Sequence, residues 1–411
     1  MSPEQISQLD ATDGLAHKRA LFSLPEGVIY LNGNSLGALP QSVPPHLDKA
    51  TNRQWGDDLI SSWNKHGWID LPQRVGEKIA PLLGAAGGQV ICCDSISLNL
   101  FKLLASGLQL QPGRIRVLSQ KDNFPTDLYV AQGLQQLLGA SRCQLQLVAA
   151  DQLVDALNDE VAVLMLSHVN FRDGAMHDMA GLTRIAHERG ALVIWDLAHS
   201  AGVLPLQLDG WDVDFAVGCG YKFLNGGPGA PAFVYVNRKH HDRFTQPLCG
   251  WMGHKAPFEF AIDYEPAGGV NQFLTGTPSI LSLTALDAAL DVFADVDRGL
   301  LRQKSIALGE CFLALVEQQP VLAELRLVSP RQVDKRGSQL SFAHSEAYAI
   351  CRAWVDAGVV ADFRSPDLLR VGFSPLLLSF AEIEKAVRLL AEVVENETFR
   401  ATRYQQRLKV T

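Results

Sequence analysis

Between about residues 82 and 236, short apolar runs alternate with stretches of helical periodicity, and this alternation leaves few architectures open. Arg114–Leu118, Gln144–Val148, Val161–Leu166, Ala191–Trp195, Phe215–Val217 and Pro231–Val236 read as strands. Ser97–Leu108, Asp127–Leu138 and Met179–Arg189 read as helices between them, the second capped by Thr126 or Asp127. Such an order predicts an α/β fold, a mostly parallel sheet covered by helices. After Leu300 the pattern changes to a long helix through Glu317, strands at Leu325–Val328, Gly337–Phe342 and Leu368–Phe373, and helices near Glu346–Ala357 and Phe380–Glu395. That reads as a smaller α+β domain. A chain of 411 residues, 47% hydrophobic, exceeds what one core usually holds, so more than one lobe is expected.

Lys and Arg number 36 against 44 Asp and Glu, a formal charge of −8, with no block of like charge, so no nucleic-acid partner is expected. No run approaches the roughly 18 apolar residues that span a bilayer, and Met1–Asp10 has no basic segment leading into an apolar one. A cytoplasmic protein without a membrane partner is expected. The seven cysteines are scattered, with no Cys-x-x-Cys pair, and read as reduced, buried thiols. No metal is expected, because His187-Glu188 starts like a metalloprotease motif but residue 191 is alanine. A nicotinamide site is disfavoured too, since Gly226-Gly227-Pro228-Gly229 precedes a strand instead of opening a helix.

Ligands on such sheets bind at the carboxyl ends of strands, which makes the residues just after each apolar run the candidates for chemistry. Lys222 closely follows Phe215–Val217 in a glycine-rich surround; partial desolvation there would favour the neutral amine that attacks a carbonyl. Taken alone, it reads as an ordinary strand-end lysine. Asp196 ends Ala191–Trp195, where a carboxylate needs either a cationic partner or a capping role. Phe124-Pro125-Thr126-Asp127 sets an aromatic face beside a carboxylate, or else forms a hydrophobic staple with a cap. Asp94-Ser95-Ile96-Ser97 opens a helix whose free amides suit a phosphate, as many Ser-capped helices do.

Together and in this order these elements resemble the fold-type I pyridoxal-phosphate enzymes, in which a strand-end Asp precedes the Schiff-base Lys by a few tens of residues. Asp196-x-x-His199 is similar to the aminotransferase class V group, and Tyr221-Lys222-Phe223-Leu224-Asn225-Gly226-Gly227-Pro228-Gly229 resembles the kynureninase family. Tyr30–Gly37, Phe124–Asp127 and Trp251-Met252-Gly253-His254 resemble the same family.

The resemblance implies a pyridoxal-phosphate-dependent hydrolase that cleaves L-kynurenine to anthranilate and L-alanine, with 3-hydroxykynurenine a second candidate substrate, and a place in tryptophan catabolism and NAD biosynthesis. It implies a large domain with a mostly parallel seven-stranded sheet over 61–299, a small C-terminal domain over 300–411, and an arm over 1–60 that joins the small domain in part. Ile96, Ser97 and Tyr221 would hold the phosphate; Phe124, Pro125, Thr126, Asp127, Ser167, Asp196 and His199 would surround the ring. Trp251 and Thr277 would come from the second subunit of a homodimer. Arg370 would bind the substrate carboxylate, with Arg364 its nearest competitor, while Trp63, Gly276 and Asn34 would complete the substrate pocket. Lys222, Tyr221 and Asp196 would carry the chemistry. Two alternatives stay open: another class V lyase such as a cysteine desulfurase, which needs a nucleophilic cysteine on a loop, and a non-catalytic cofactor-binding regulator.

Overall fold

The apolar runs assemble into one seven-stranded sheet. In the computed structural model, which describes residues 1–408, its strands are β1 (Val90–Cys92), β2 (Arg116–Gln120), β3 (Gln144–Val148), β4 (Val161–Ser167), β5 (Leu192–Asp196), β6 (Phe215–Cys219) and β7 (Ala232–Val236). The end of the expected C-terminal domain, residues 409–411, lies outside the described residues. Their spatial order is β1-β7-β6-β5-β4-β2-β3. The sheet is mixed: β2 to β6 pair in parallel, whereas β7 runs antiparallel to both β6 and β1. Strand β1, absent from the sequence reading, is only three residues long and gains its place by pairing with β7. Every residue of β5, β6 and β7 is buried, as expected of strands covered on both faces.

Register then decides which side chains meet. Ser167 stands opposite Asp196, and Asp196 opposite Val217, so the carboxyl ends of β4, β5 and β6 finish in line. The helices Ile96–Leu110 and Pro125–Leu138 follow β1 and β2 and present their amino ends at that same edge.

The smaller sheet is antiparallel, with β8 (Arg326–Leu327), β9 (Gln339–Ala343), β10 (Asp362–Arg364) and β11 (Leu368–Gly372) in the order β8-β9-β11-β10. Helices Arg298–Glu317, Ala347–Asp356 and Phe380–Glu395 cover it, the first capped by Asp297 and the last by a Ser379–Glu382 capping box. Phe312, Trp354 and Phe373 fill the core between them. Ile29 and Leu31 join this core, and Ile29–Tyr30 pairs with Val359–Val360. From there the chain crosses to the lysine loop, where the Gly37 N–H donates to the Tyr221 carbonyl at 2.8 Å. A Cβ on Gly37 would lie 2.3 Å from the Lys222 oxygen and 2.6 Å from Asn225 Cα, so only glycine permits this approach. No helix among the described residues is long and apolar enough to cross a membrane.

Candidate active site

A cavity of about 660 Å³ opens where β4, β5 and β6 end, with Ser167, Asp196 and Cys219 in its wall. Lys222 enters from the loop after β6, its Nζ 3.1 Å from His199 Nε2 and 6.0 Å from the centre of the Phe124 ring. The Phe124 ring in turn stands edge-to-face on Phe171 at 5.2 Å. Asp196 accepts the Ala198 N–H at 2.7 Å, which turns the chain toward His199 without starting a helix. Burial raises the Asp196 carboxyl above its ordinary value, against the pull of the Lys222 charge. Burial likewise lifts the Tyr221 phenol, with Cys219 and Asp196 adding to the effect, and lifts the Cys219 thiol.

Asp127 differs from the expected cap. Helix Pro125–Leu138 begins with Phe124 as its N-cap residue, Pro125 fixes the first turn, and both Asp127 carboxyl oxygens are buried without a hydrogen-bond partner. Burial, then the neighbouring Asp196, raises this carboxyl well above the usual range. An orphaned carboxyl in a cavity wall is costly unless a bound group supplies the donor. At the other end, Ser95 caps helix Ile96–Leu110 by accepting the Leu98 N–H, leaving Ile96 and Ser97 in the first turn with Ser97 in the wall. A lysine amine, an aromatic face, a strand-end carboxyl beside an orphaned one, and a helix amino terminus around one cavity fit pyridoxal phosphate.

Of the expected residues, Ile96, Ser97, Phe124, Thr126, Asp127, Ser167, Asp196, His199, Tyr221 and Lys222 line this cavity. Arg370 lies one layer behind it, 1% exposed. Its Nε and Nη2 grip the Asp362 carboxylate at 2.8 and 2.5 Å, Nη2 also reaches Ser35 Oγ at 2.8 Å, and Nη1 reaches the Phe171 carbonyl at 2.5 Å. Ser35 and Phe171 are themselves wall residues. Arg364 shares Asp362 and Ser35, but its buried Nε has no partner. Asn34 is fully buried, with both amide atoms unpaired, and packs against Gly372.

Pro125, Trp63, Trp251, Gly276 and Thr277 are not in the wall. Trp63 packs on Trp68. Gly276 and Thr277 line a neighbouring cavity of about 300 Å³ that shares Asp94, Ser95 and Gly229 with the first. Trp251 is exposed, grouped with the exposed Phe258 and Phe260.

Sequence reading missed Ser35, Asp362 and Gln339, polar residues in positions where only contacts reveal a role, and the pair of buried Lys102 with half-buried Asp94 at 2.5 Å. A lysine amid the apolar residues of helix Ile96–Leu110 was the available signal for that pair. The expectation of uniformly buried thiols also needs correction, because Cys249 is exposed while the other six are buried.

Residues 301–390 match the family described as "Kynureninase C-terminal domain". A kynureninase of Deinococcus radiodurans is 50% identical over 396 residues, 95% of this chain and 96% of that one. The chain belongs to the kynureninase family. A kynureninase of Burkholderia pseudomallei is 48% identical over 414 residues, 99% of each chain. Kynureninase family membership makes this chain a pyridoxal-phosphate enzyme and a hydrolase of carbon–carbon bonds.

Among solved structures, the apo cysteine desulfurase of Thermococcus onnurineus NA1 superimposes with a TM-score of 0.73 at 18% identity, covering 96% of this chain and 99% of that one. A C-DES mutant with glycine covalently linked to its pyridoxal-phosphate cofactor gives 0.77 at 18% identity, covering 91% and 99%. At that identity they speak for the fold-type I architecture alone. The near full-length identity to kynureninases is what separates this chain from the desulfurases that share its fold.

Proposed function

We propose that the work of kynurenine cleavage is divided among the residues of this one cavity. The enzyme hydrolyses the Cβ–Cγ bond of L-kynurenine, giving anthranilate and L-alanine. Bound pyridoxal phosphate supplies an electron sink for the bonds broken at Cα and Cβ. Ser97 and the amides of Ile96 and Ser97 hold its phosphate with Tyr221; Phe124 covers its ring, and Thr126, Asp127, Ser167 and His199 complete the surround. Asp196 keeps a proton on the ring nitrogen, a task suited to a carboxylate at the end of a buried strand.

Lys222 would carry the cofactor, and its amine would take and return the proton at the substrate Cα. Tyr221 moves protons at the substrate γ-carbonyl and Cβ; its burial keeps the phenol protonated and able to donate. Arg370 fixes the substrate carboxylate through its planar guanidinium, with Asn34 nearby. The observation that carries this reading is the convergence of Lys222, Asp196 and Phe124 on one cavity beside a carboxyl, Asp127, that has no hydrogen-bond partner among the described residues.

Trp63 offers a ring hydroxyl nothing but an indole N–H and Gly276 offers no side chain, which supports plain L-kynurenine over the 3-hydroxy form. The exposed aromatic group of Trp251, Phe258 and Phe260 supports a homodimer in which Trp251 and Thr277 serve the other subunit's site. A cytoplasmic role in tryptophan catabolism belongs to the same reading. So does the division into an arm over 1–60, a cofactor domain over 61–299 and a small domain over 300–411, supported by the burial of Ile29 and Leu31 in the C-terminal core.

Purified enzyme given each substrate separately tests the reading. Fluorescent anthranilate should form from L-kynurenine faster than its hydroxy form appears from 3-hydroxykynurenine. Neither product, or the reverse preference, would count against the function or the specificity respectively.

A further inference from the structure

Gln339 begins β9 in the smaller sheet, yet its amide ends against a histidine that follows β5 in the larger one. Gln339 Oε1 lies 2.9 Å from His199 Nδ1. Its Nε2 faces the carbonyls of Asn170 at 3.4 Å and Phe171 at 3.3 Å. Both are acceptors only, so the amide must turn its NH2 to them and its oxygen to the imidazole. That oxygen is itself an acceptor only, which places the hydrogen on His199 Nδ1 and leaves Nε2 bare, 3.1 Å from Lys222 Nζ. The imidazole is kept neutral by burial and by the cations Lys222, Arg370 and Arg364 around it. The fit is close: at Gly174, with φ +74°, a Cβ would lie 2.7 Å from Gln339 Cγ.

We infer that Gln339 is a positioning residue that fixes the tautomer of His199, so that an unprotonated Nε2 always faces the nitrogen of Lys222. The inference rests on Lys222 being the cofactor-bearing lysine. It also explains why a fully sheltered glutamine sits on the smaller sheet. An uncharged side chain can hold the imidazole hydrogen in place without drawing a second proton onto the ring, as a carboxylate would. The Phe171 carbonyl that orients Gln339 also receives Arg370 Nη1 at 2.5 Å, so one backbone oxygen ties the arginine, the glutamine and, through it, the histidine together.

Holoenzyme containing isotopically labelled histidine provides the test. Ring-nitrogen NMR signals of His199, assigned by their loss in His199→Phe, should show hydrogen on Nδ1 and a bare Nε2. Gln339→Met fills similar space but accepts no hydrogen bond. It should mix the two tautomers and lower the titration of the visible cofactor band by about one pH unit, because the protonated lysine nitrogen loses its acceptor. Gln339→Glu preserves shape and an acceptor oxygen, and should keep hydrogen on Nδ1 even if the methionine variant folds poorly. Hydrogen on Nε2 in the unaltered enzyme, or ring signals and band titration unchanged in Gln339→Met, overturns the inference. Lys222→Ala separates the two claims: a visible band that survives it removes Lys222 from its assigned role, independently of where the His199 hydrogen is found.

Discussion

Tyr221 is the residue on which the chemistry is most directly testable. With its phenol held protonated by burial, Tyr221→Phe should weaken cofactor binding by the loss of one phosphate contact and, at saturating cofactor, lower kcat by about a hundredfold, the usual scale for a lost general acid. Steady-state kinetics beside the cofactor spectrum checks this, and normal turnover would remove Tyr221 from the proposed proton transfers. Asp362 should behave differently, since it does not line the cavity itself but holds Arg370 and the wall residue Ser35. Burial favours its neutral form, but Arg370 and Arg364 outweigh that and hold the carboxyl below its ordinary value. The ion cluster therefore stabilises the fold above the ordinary carboxylate pKa, and this contribution fades as pH falls through the lowered one. Asp362→Asn frees the guanidinium from its orientation and should raise KM for L-kynurenine about tenfold with a smaller change in kcat. Its deficit in thermal midpoint against the unaltered enzyme should shrink in acid.

At the scale of elements, the amino-terminal end of the large sheet has its own fastening, far from the cavity. Buried Asp214 accepts from His187 Nε2 at 2.7 Å, His240 Nε2 at 2.8 Å and the Val193 N–H at 2.9 Å, and pairs with Lys239 at 2.9 Å, tying helix Met179–Glu188 to β5, β6 and the turn after β7. Asp214→Asn should lower the thermal midpoint by about 5 °C in calorimetry, with KM unchanged. The alternating pattern made most of this sheet legible, because strands buried on both faces leave continuous apolar runs and the chemistry sits at their ends. Strand direction left no such mark, so the reversed β7 was not foreseen, and β1 was too short to register. In the site, Lys222, Asp196 and Phe124 were legible from their places after strands. Asp127 was misread as a cap because an acidic residue in a first helical turn looks the same whether it meets an amide or a cavity. Gln339 and Ser35 were invisible for a related reason: each acts through a contact with residues more than a hundred positions away, and sequence spacing records nothing of that; Asp362 lies only eight positions before Arg370, but on the adjacent strand, where only the register brings the two together.

For the whole molecule, the two sheets are joined at the site by thin but specific links: the Gly37 approach to the lysine loop, the Arg370 contact to Phe171, and the amide of Gln339. Trp251 is the exception, standing outside the cavity of its own chain with its ring open to solvent. In the proposed dimer it completes the neighbour's site, and the working unit becomes the pair. Lys222→Ala and Trp251→Ala chains, each inactive alone, should regain about a quarter of normal activity when dissociated together and reassociated, since random pairing restores one complete site in each mixed pair. Activity no greater than the sum of the separate preparations would argue against the shared site. Genetically, damage at the lysine and damage at the tryptophan would then be alleles that complement within a single gene, one defective copy lending the other the part it lacks.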